Sequence, residues 1–376
     1  MSHPWISDRA MSFDASGIRK VFELASKMTD PINLSIGQPD FDVPPAARQA
    51  AIDAIGSKKN AYAMTQGIAP LREKLQQQVQ AEFQHADRSL FITSGTSGGL
   101  LLAMMAMVNP GDEVIVFDPC FVMYEPLIKL VHGTPVVIDT YPDFKIDAEK
   151  VRAAITPKTK LILFNSPANP TGYAASEDEV RAIAKVAAEN NVALLSDEIY
   201  RMFCYDKPHV SPAKYNDQTL VIDGFSKSYA MTGWRVGWAH GPSEIIEQML
   251  KVQQYSFVCA PQPFQWGAVE AMDIDMQVHI DEYRQKRDRI VAGLRDCYEL
   301  ATPGGAFYAF PEVPLGPQYP WKNANEFVLK AIENQLLIIP GKIFSHRDTH
   351  IRISYAATNQ TIDRGIEVLR RMAKAK

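Results

Sequence analysis

The sequence predicts an α/β fold, in which helices cover a mainly parallel sheet and a smaller α+β part follows. Across residues 46–280, short apolar runs rich in β-branched residues alternate with longer segments of helical periodicity. This alternation is typical of a parallel sheet that is buried on both faces. Beyond residue 281 the pattern changes to strand-like pieces and a final helix. We therefore expect a large domain at 46–280 and a small domain formed by 1–45 together with 281–376.

Six short hydrophobic runs in the large domain are expected to be strands, because each is bounded by turn residues. They are Leu90–Thr93, Glu113–Phe117, Pro135–Ile138, Lys160–Asn165, Val192–Ser196 and Thr219–Asp223. Between them, helical spacing predicts helices at Gly99–Val108, Glu177–Asn190 and Ser243–Tyr255.

The small domain is expected to begin with a long connecting helix, Asp281–Tyr298. Strand-like pieces follow at Gly305–Phe310, Leu336–Ile339 and His350–Ser354, and the last helix is expected at Thr361–Ala375. The early chain contains Pro31, Pro39, Pro44 and Pro45, so we expect it to be extended and irregular and to pack across the domain boundary.

Composition and charge exclude several classes of protein. The chain has 376 residues, with 39 basic and 43 acidic side chains, and no block of like charge to bind nucleic acid. The longest apolar run, Leu100–Val108, is far shorter than the roughly 20 residues of a membrane span. Residues 1–20 lack the apolar core of a signal peptide. The four cysteines and eight histidines show no metal-site spacing. We expect a cytoplasmic protein with no membrane partner, no nucleic-acid partner and no metal.

Polar and aromatic side chains follow the predicted strands at the edge where open parallel sheets bind ligands. The first strand leads into Thr93–Gly99, a loop of glycines and hydroxyls at a helix start, which suits an anion such as phosphate. Taken alone, a loop of this kind is more often a plain flexible turn. Phe121 and Asn169 follow the second and fourth strands, where a core ring and a turn residue are the simpler readings. Asp197 follows a central strand, and a buried carboxylate requires a partner.

Lys227 follows the sixth strand and is surrounded in sequence by Phe225, Tyr229 and Trp234. A desolvated lysine near another cation, here Arg235, has a lowered pKa and becomes a usable amine nucleophile and base. An anion loop, a carboxylate and such a lysine at one edge are the three groups that pyridoxal phosphate requires.

Three motifs occur in this chain in the order and approximate spacing of a known family. They are Asn169-Pro170-Thr171-Gly172, Asp197-Glu198-Ile199-Tyr200, and Ser226-Lys227 followed by Gly233-Trp234-Arg235-Val236-Gly237. With them the chain resembles the class I aminotransferases, which include aspartate, alanine and aromatic aminotransferases and have the type I fold of pyridoxal-phosphate enzymes. The resemblance spans nearly the whole chain. It implies a seven-stranded, mainly parallel sheet and pyridoxal 5′-phosphate as cofactor.

The resemblance also implies roles on the face of the cofactor ring. Lys227 would be the Schiff-base lysine and would move the proton at the substrate Cα. Asp197 would pair with the ring nitrogen, while Asn169 and Tyr200 would hydrogen-bond the ring 3-oxygen. Phe121 would stack on the ring. The catalytic residues would therefore be Lys227, Asp197 and Tyr200.

Phosphate and substrate would be held by further residues that match the family. Arg352, with Gly37 and Asn169, would grip the substrate α-carboxylate. Tyr62 would reach the phosphate from the neighbouring subunit, which implies a homodimer. The phosphate would be held by Gly95, Thr96, Ser97 and Arg235. Ser226 would also contact the cofactor.

Two positions depart from the family pattern. Gly224 stands where many members have a phosphate-binding serine, so one phosphate contact is missing or replaced. Ser97 stands where some aspartate-preferring relatives have a lysine for the side-chain carboxylate, so a strict aspartate preference does not follow.

The expected activity is transfer of an amino group from an L-amino acid to a 2-oxo acid such as 2-oxoglutarate, by a ping-pong mechanism. A C–S β-lyase would use the same lysine and arginine and stays an alternative. A non-catalytic ligand-sensing module of the same fold is a lower alternative, because the roughly 45 residues before the large domain are too few for a DNA-binding helix-turn-helix. A nicotinamide-dependent dehydrogenase would need a GxGxxG motif after the first strand, and the sequence has none there.

Overall fold

The computed structural model describes residues 3–14, 17 and 28–374. In chain order, the first half contains α1 (Asp8–Met11), β1 (Ile32–Asn33), α2 (Pro45–Gly56), α3 (Ala69–Glu82), β2 (Ser89–Thr93), α4 (Gly95–Met107), β3 (Glu113–Asp118), α5 (Tyr124–Leu130), β4 (Thr134–Asp139), α6 (Ala148–Ala154), β5 (Thr159–Asn165) and α7 (Glu177–Glu189). The second half contains β6 (Ala193–Asp197), β7 (Leu220–Gly224), α8 (Phe225–Ser228), β8 (Gly237–Gly241), α9 (Ser243–Gln254), α10 (Gln262–Ala271), α11 (Gln277–Leu294), β9 (Tyr308–Ala309), α12 (Ala324–Glu333), β10 (Leu336–Leu337), β11 (Ile339–Pro340), β12 (Ile351–Ser354) and α13 (Asn359–Ala373).

A seven-stranded sheet forms the centre of the larger part, in the order β2-β8-β7-β6-β5-β3-β4. The strands from β7 to β4 run parallel to their neighbours, whereas β8 is antiparallel to both β2 and β7. Strand residues such as Val114, Leu163 and Leu195 are fully buried, because helices cover both faces of the sheet. The predicted α/β class and seven-stranded sheet are confirmed.

The six predicted strands correspond to β2–β7 to within one residue at each end. The seventh strand, β8, was not predicted from the local pattern, because its sequence Gly-Trp-Ala-His-Gly has little β-branched character. The helix predicted at Gly99–Val108 begins earlier, at Gly95, so much of the predicted loop is the first turn of α4. The connecting helix was also misplaced, since α11 starts and ends four residues before the predicted bounds.

Two small sheets lie in the C-terminal part of the chain. Strand β1 pairs in parallel with β10, and β11, β12 and β9 form an antiparallel sheet. The piece predicted at Leu336–Ile339 was wrong as one strand, since it divides at Ile338 into β10 and β11, which belong to different sheets. The piece at Gly305–Phe310 forms only the two-residue β9, and the piece at His350–Ser354 forms β12. The last helix, α13, covers most of the predicted range, and Ala375 lies outside the described residues.

The proline-rich early chain is less irregular than predicted. Pro45 is the first residue of the twelve-residue helix α2, where a missing N–H costs no hydrogen bond. The segment before it carries β1, and its pairing with β10 joins the early chain to the C-terminal part.

A hydrophobic cluster built mainly from residues after 280 also includes Leu34 and Tyr200. In the part of the chain that the structure describes, no helix is long and apolar enough to cross a membrane.

Candidate active site

A cavity of about 300 Å³ lies at the carboxyl edge of the large sheet. It is lined by residues that follow β2, β3, β5, β6 and β7 and by residues of the C-terminal part. The sequence-predicted residues that line it are Gly37, Thr96, Ser97, Phe121, Asn169, Asp197, Tyr200, Ser226, Lys227, Arg235 and Arg352. Topology alone therefore brings together side chains that are spread over more than 300 positions of the sequence.

Lys227 lies on the short helix α8, directly after β7. Its Nζ donates a hydrogen bond of 2.6 Å to the carbonyl oxygen of Gly37. Burial and, to a smaller extent, the positive charges of Arg352 and Arg235 together lower the pKa of Lys227 to about 8, although the charge of Asp197 acts in the opposite direction. The amine is therefore much easier to deprotonate than that of a surface lysine.

Asp197 is the last residue of the central strand β6 and is 3% exposed. The hydroxyl of Tyr124 donates to its Oδ2 at 2.8 Å, and the backbone N–H of Ile199 donates to its Oδ1 at 3.3 Å. Burial raises the pKa of Asp197 to about 6, although these two hydrogen bonds and the charge of Lys227 act in the opposite direction. The carboxylate is thus fixed in place by these two hydrogen bonds, and it forms no ion pair with any residue that the structure describes.

The first turn of α4 and Arg235 form a compact cradle at one end of the cavity. Gly95 has a φ of +69°, and a Cβ atom on it would collide with the Arg235 guanidinium. Arg235 itself has a φ of +56°, an uncommon conformation for a residue with a side chain, and its Nη1 donates to Thr232 O at 2.9 Å. Free N–H groups at a helix start, next to a guanidinium, favour an anion.

Gly224, the last residue of β7, packs against this cradle. A Cβ atom at Gly224 would lie 3.1 Å from Thr96 Oγ1 and 3.2 Å from the Cα of Gly237. A larger residue at this position would press on the hydroxyl of Thr96. The absence of a side chain at position 224 therefore allows Thr96 and Gly237 to pack closely behind the cradle.

Arg352, on β12, is 2% exposed and forms the other end of the cavity. Its Nη1 donates to Asn169 Oδ1 at 3.1 Å, and its Nη2 donates to Ser35 O at 2.8 Å. Its Nε is buried and has no hydrogen-bond partner among the described residues. A buried donor without a partner is costly, so this guanidinium is poised to bind an anionic group.

Two tyrosines of the site were missed by the sequence analysis. Tyr124 begins the helix α5, and Tyr308 lies on β9, where its hydroxyl is 2.8 Å from that of Tyr200. Tyr308 belongs to a piece that the sequence predicted as a strand, but a two-residue strand gives no periodicity that would show which face it presents. Tyr124 lies six residues after the end of β3. The sequence analysis considered only residues close to the strand ends, such as Phe121, and therefore missed it.

Two sequence-predicted residues do not line the cavity. Gly95 belongs to the cradle but faces the Arg235 guanidinium, as described above. Tyr62 is 84% exposed on the surface.

Comparison with known proteins gives the family. A family model described as "Aminotransferase class I and II" matches residues 29–369. The chain belongs to this family. It is 38% identical to a probable aspartate aminotransferase of Methanocaldococcus jannaschii, over 97% of this chain and 99% of the relative. It is 36% identical to a probable N-acetyl-LL-diaminopimelate aminotransferase of Bacillus subtilis, over 97% and 94%.

Solved structures agree with this assignment. The aspartate aminotransferase of Thermus thermophilus with maleate superposes with a TM-score of 0.92 at 32% identity, covering 98% of this chain and all of that one. The protein is an aminotransferase that depends on pyridoxal 5′-phosphate, and it has the type I fold of these enzymes. Three features fit this cofactor: the cradle in which the Arg235 guanidinium closely approaches Gly95, the fixed carboxylate of Asp197, and the lysine with a lowered pKa.

Proposed function

We propose that this aminotransferase moves the amino group of an L-amino acid to a 2-oxo acid, with 2-oxoglutarate as acceptor, in two successive half-reactions in one cavity. The observation that carries the proposal is the position of Lys227. Its amine, with a pKa lowered to about 8, lines the same cavity as the carboxylate of Asp197 and the guanidinium of Arg352. An amine that is deprotonated near neutral pH can attack a carbonyl and then accept a proton.

The residues around the cavity would hold pyridoxal phosphate by its two charged ends. The phosphate would lie against the start of α4 and Arg235, whose guanidinium approaches α4 closely because Gly95 has no side chain. At the other end, Asp197 would pair with the ring nitrogen. When bound, the cofactor supplies an electron-withdrawing ring that accepts the electrons released at the substrate Cα. Remaining contacts would come from Thr96, Ser97, Phe121, Asn169, Tyr200 and Ser226, all on the cavity wall.

Lys227 and Asp197 would be the residues that control the proton transfers of the reaction. Lys227 Nζ, once free of the cofactor, would take the proton from the substrate Cα and deliver it to the cofactor carbon C4′, which would be linked to Cα through the substrate nitrogen. Asp197 would keep the ring nitrogen protonated, because its negative charge is held in place by Tyr124 and by the backbone of Ile199. Positioned proton transfer of this kind contributes about 10²- to 10⁴-fold to a rate.

Arg352 would bind the α-carboxylate that the amino acid and the 2-oxo acid share. Its unpaired Nε and the planar fork of its guanidinium suit a carboxylate, and Asn169 and Ser35 hold the fork in place. Gly37 lies close by, since a Cβ atom on it would be 3.7 Å from Arg352 Nη2. The same carboxylate site would thus serve both half-reactions.

The exposed Tyr62 supports a homodimer. It lies outside the cavity of its own chain and is 84% exposed, as a residue that reaches into a neighbouring subunit would be in an isolated chain. Pairing of β1 with β10 supports the proposed small domain of 1–45 and 281–376. A cytoplasmic location stays a prediction.

The test is product analysis with purified protein and added pyridoxal phosphate. A panel of L-amino acids with 2-oxoglutarate is expected to yield glutamate and the matching 2-oxo acids, with parallel lines in double-reciprocal plots. Lys227→Ala is expected to lose this activity, whereas Lys330→Ala, at an exposed ion pair with Glu333, is the matched control. Formation of pyruvate and ammonia from a cysteine conjugate, without glutamate, would establish the C–S β-lyase instead.

A further inference from the structure

Tyr308 lines the cavity but has no role in the proposed chemistry. It is 1% exposed and lies on β9, where it pairs with Ser354 of β12, the strand that carries Arg352. Its side chain reaches both ends of the site. The hydroxyl meets Tyr200, whereas the ring meets Arg352.

The hydroxyl of Tyr308 is held in one place. It lies 2.8 Å from the hydroxyl of Tyr200, a hydrogen-bond distance. On another side the backbone of Gly37 closes in, because a Cβ atom on Gly37 would lie only 2.8 Å from this oxygen. Lys227 donates to the carbonyl oxygen of the same Gly37. The hydroxyl is therefore confined beside two groups that the proposed mechanism uses.

The ring of Tyr308 supports the substrate-binding guanidinium. The Arg352 guanidinium carbon lies 4.6 Å from the centre of this ring and 4.7 Å from that of Phe344. A cation over an aromatic face is stabilised, most strongly where water is excluded, as it is around a side chain that is 2% exposed. The ring thus keeps Arg352 in position when no carboxylate is bound.

We propose that Tyr308 is a positioning residue that joins the cofactor end of the site to the substrate end. Either hydroxyl can be the donor in this pair, and in the proposed arrangement that of Tyr308 donates to Tyr200, so that the proton of Tyr200 is directed to the ring 3-oxygen of the cofactor. A hydroxyl that accepts a hydrogen bond is polarised and becomes a stronger donor. Its ring at the same time orients Arg352 for the α-carboxylate. This inference rests on the proposed roles of Tyr200 and Arg352.

Two substitutions separate the two contacts. Tyr308→Phe removes the hydroxyl and keeps the ring under Arg352, whereas Tyr308→Leu removes both. Tyr298→Phe is the matched control, because Tyr298 is also buried and loses one 2.8 Å hydrogen bond, to Leu369 O, away from the cavity.

The first measurement is a pH titration of the visible absorption of the holoenzyme. It reports the proton shared between Lys227 Nζ and the cofactor's ring oxygen. A donor to that oxygen stabilises its negative charge once the proton has left, so a weaker donor makes the proton leave at a higher pH. We expect the midpoint to rise by about 0.5 unit in Tyr308→Phe and in Tyr308→Leu, within the limit set by one hydrogen bond. Tyr298→Phe is expected to titrate like the wild type.

The second measurement is the dissociation constant of the unreactive carboxylate 3-phenylpropanoate, followed by the same absorption. Tyr308→Phe is expected to change it less than about twofold, because a phenyl ring still supports Arg352. Tyr308→Leu is expected to weaken binding roughly tenfold, within the range of a desolvated cation–π contact.

Separate outcomes distinguish this inference from the proposed function. If the wild-type holoenzyme shows a pH-dependent band and Tyr308→Phe titrates with the same midpoint, the inference is wrong while the proposed function stands. The same holds if the control shifts as far as Tyr308→Phe, since the effect is then a general loss of packing. A wild-type protein that forms no such band overturns both.

Discussion

Replacing Arg352 by lysine keeps the positive charge in the cavity and removes only the planar fork. In the wild type, two N–H groups are committed to Asn169 and Ser35, which leaves Nε and the other N–H groups for a carboxylate. A lysine has one nitrogen with three N–H groups, so it cannot reproduce both tethers and a two-point grip. At least one charge-assisted hydrogen bond to substrate is lost, about 1.5–3 kcal/mol. This corresponds to roughly a 10- to 150-fold fall in kcat/KM.

Steady-state kinetics with varied amino acid and varied 2-oxo acid measure this fall. Both substrates carry the α-carboxylate, so we expect both kcat/KM values to drop by a similar factor, mainly through KM. The absorption spectrum of the bound cofactor is expected to persist, because its cradle is at the opposite end of the cavity. Arg370→Lys is the control, since Arg370 pairs with Asp296 on the surface. A kcat/KM that is unchanged, or that falls for only one substrate, would refute the shared carboxylate site.

Three further predictions follow from the same geometry. Borohydride reduction of the holoenzyme is expected to fix the cofactor on Lys227, and a label on any other residue would contradict its role. In the cofactor-free protein, burial raises the pKa of Asp197 from 3.8 to about 6, so its contribution to stability is full below pH 3.8 and is lost as pH rises through 6. Urea unfolding measures this loss. Between pH 4 and 7.5 the free energy of unfolding of the wild type should fall relative to that of Asp197→Asn by up to about 3 kcal/mol, whereas parallel stability curves would disprove the prediction. Mixing Tyr62→Ala with Lys227→Ala chains is expected to make about a quarter of the sites intact and to restore activity, and no recovery would exclude a shared site.

The edge of the parallel sheet is the part of the site that the sequence predicted best. Each strand from β2 to β7 except β4 ends at, or within three residues of, a residue that lines the cavity, because parallel strands bring their carboxyl ends to one edge. Asp197 and Lys227 were found by that rule alone, before any resemblance was considered. Their exposure and hydrogen bonds could not be found in this way.

The C-terminal half of the site was less predictable, for a physical reason. Strands β9, β10 and β11 have two residues each, too few to show an alternation of buried and exposed positions. Their pairing depends on contacts over long sequence separations, such as Ile32 with Leu336. Arg352 was therefore found by resemblance, and Tyr308 was not found at all.

The side chains around the cavity carry more positive than negative charge, which favours the binding of anionic ligands. Among the residues that line it, Lys227, Arg235 and Arg352 are basic, and only Asp197 is acidic. The two arginines lower the pKa of Lys227 because their positive charges disfavour a further positive charge nearby. A phosphate at Arg235 and a carboxylate at Arg352 would offset these charges one at a time. Each binding event would raise the proton affinity of Lys227, so in the proposed mechanism the substrate's own carboxylate would strengthen the base that acts on its Cα.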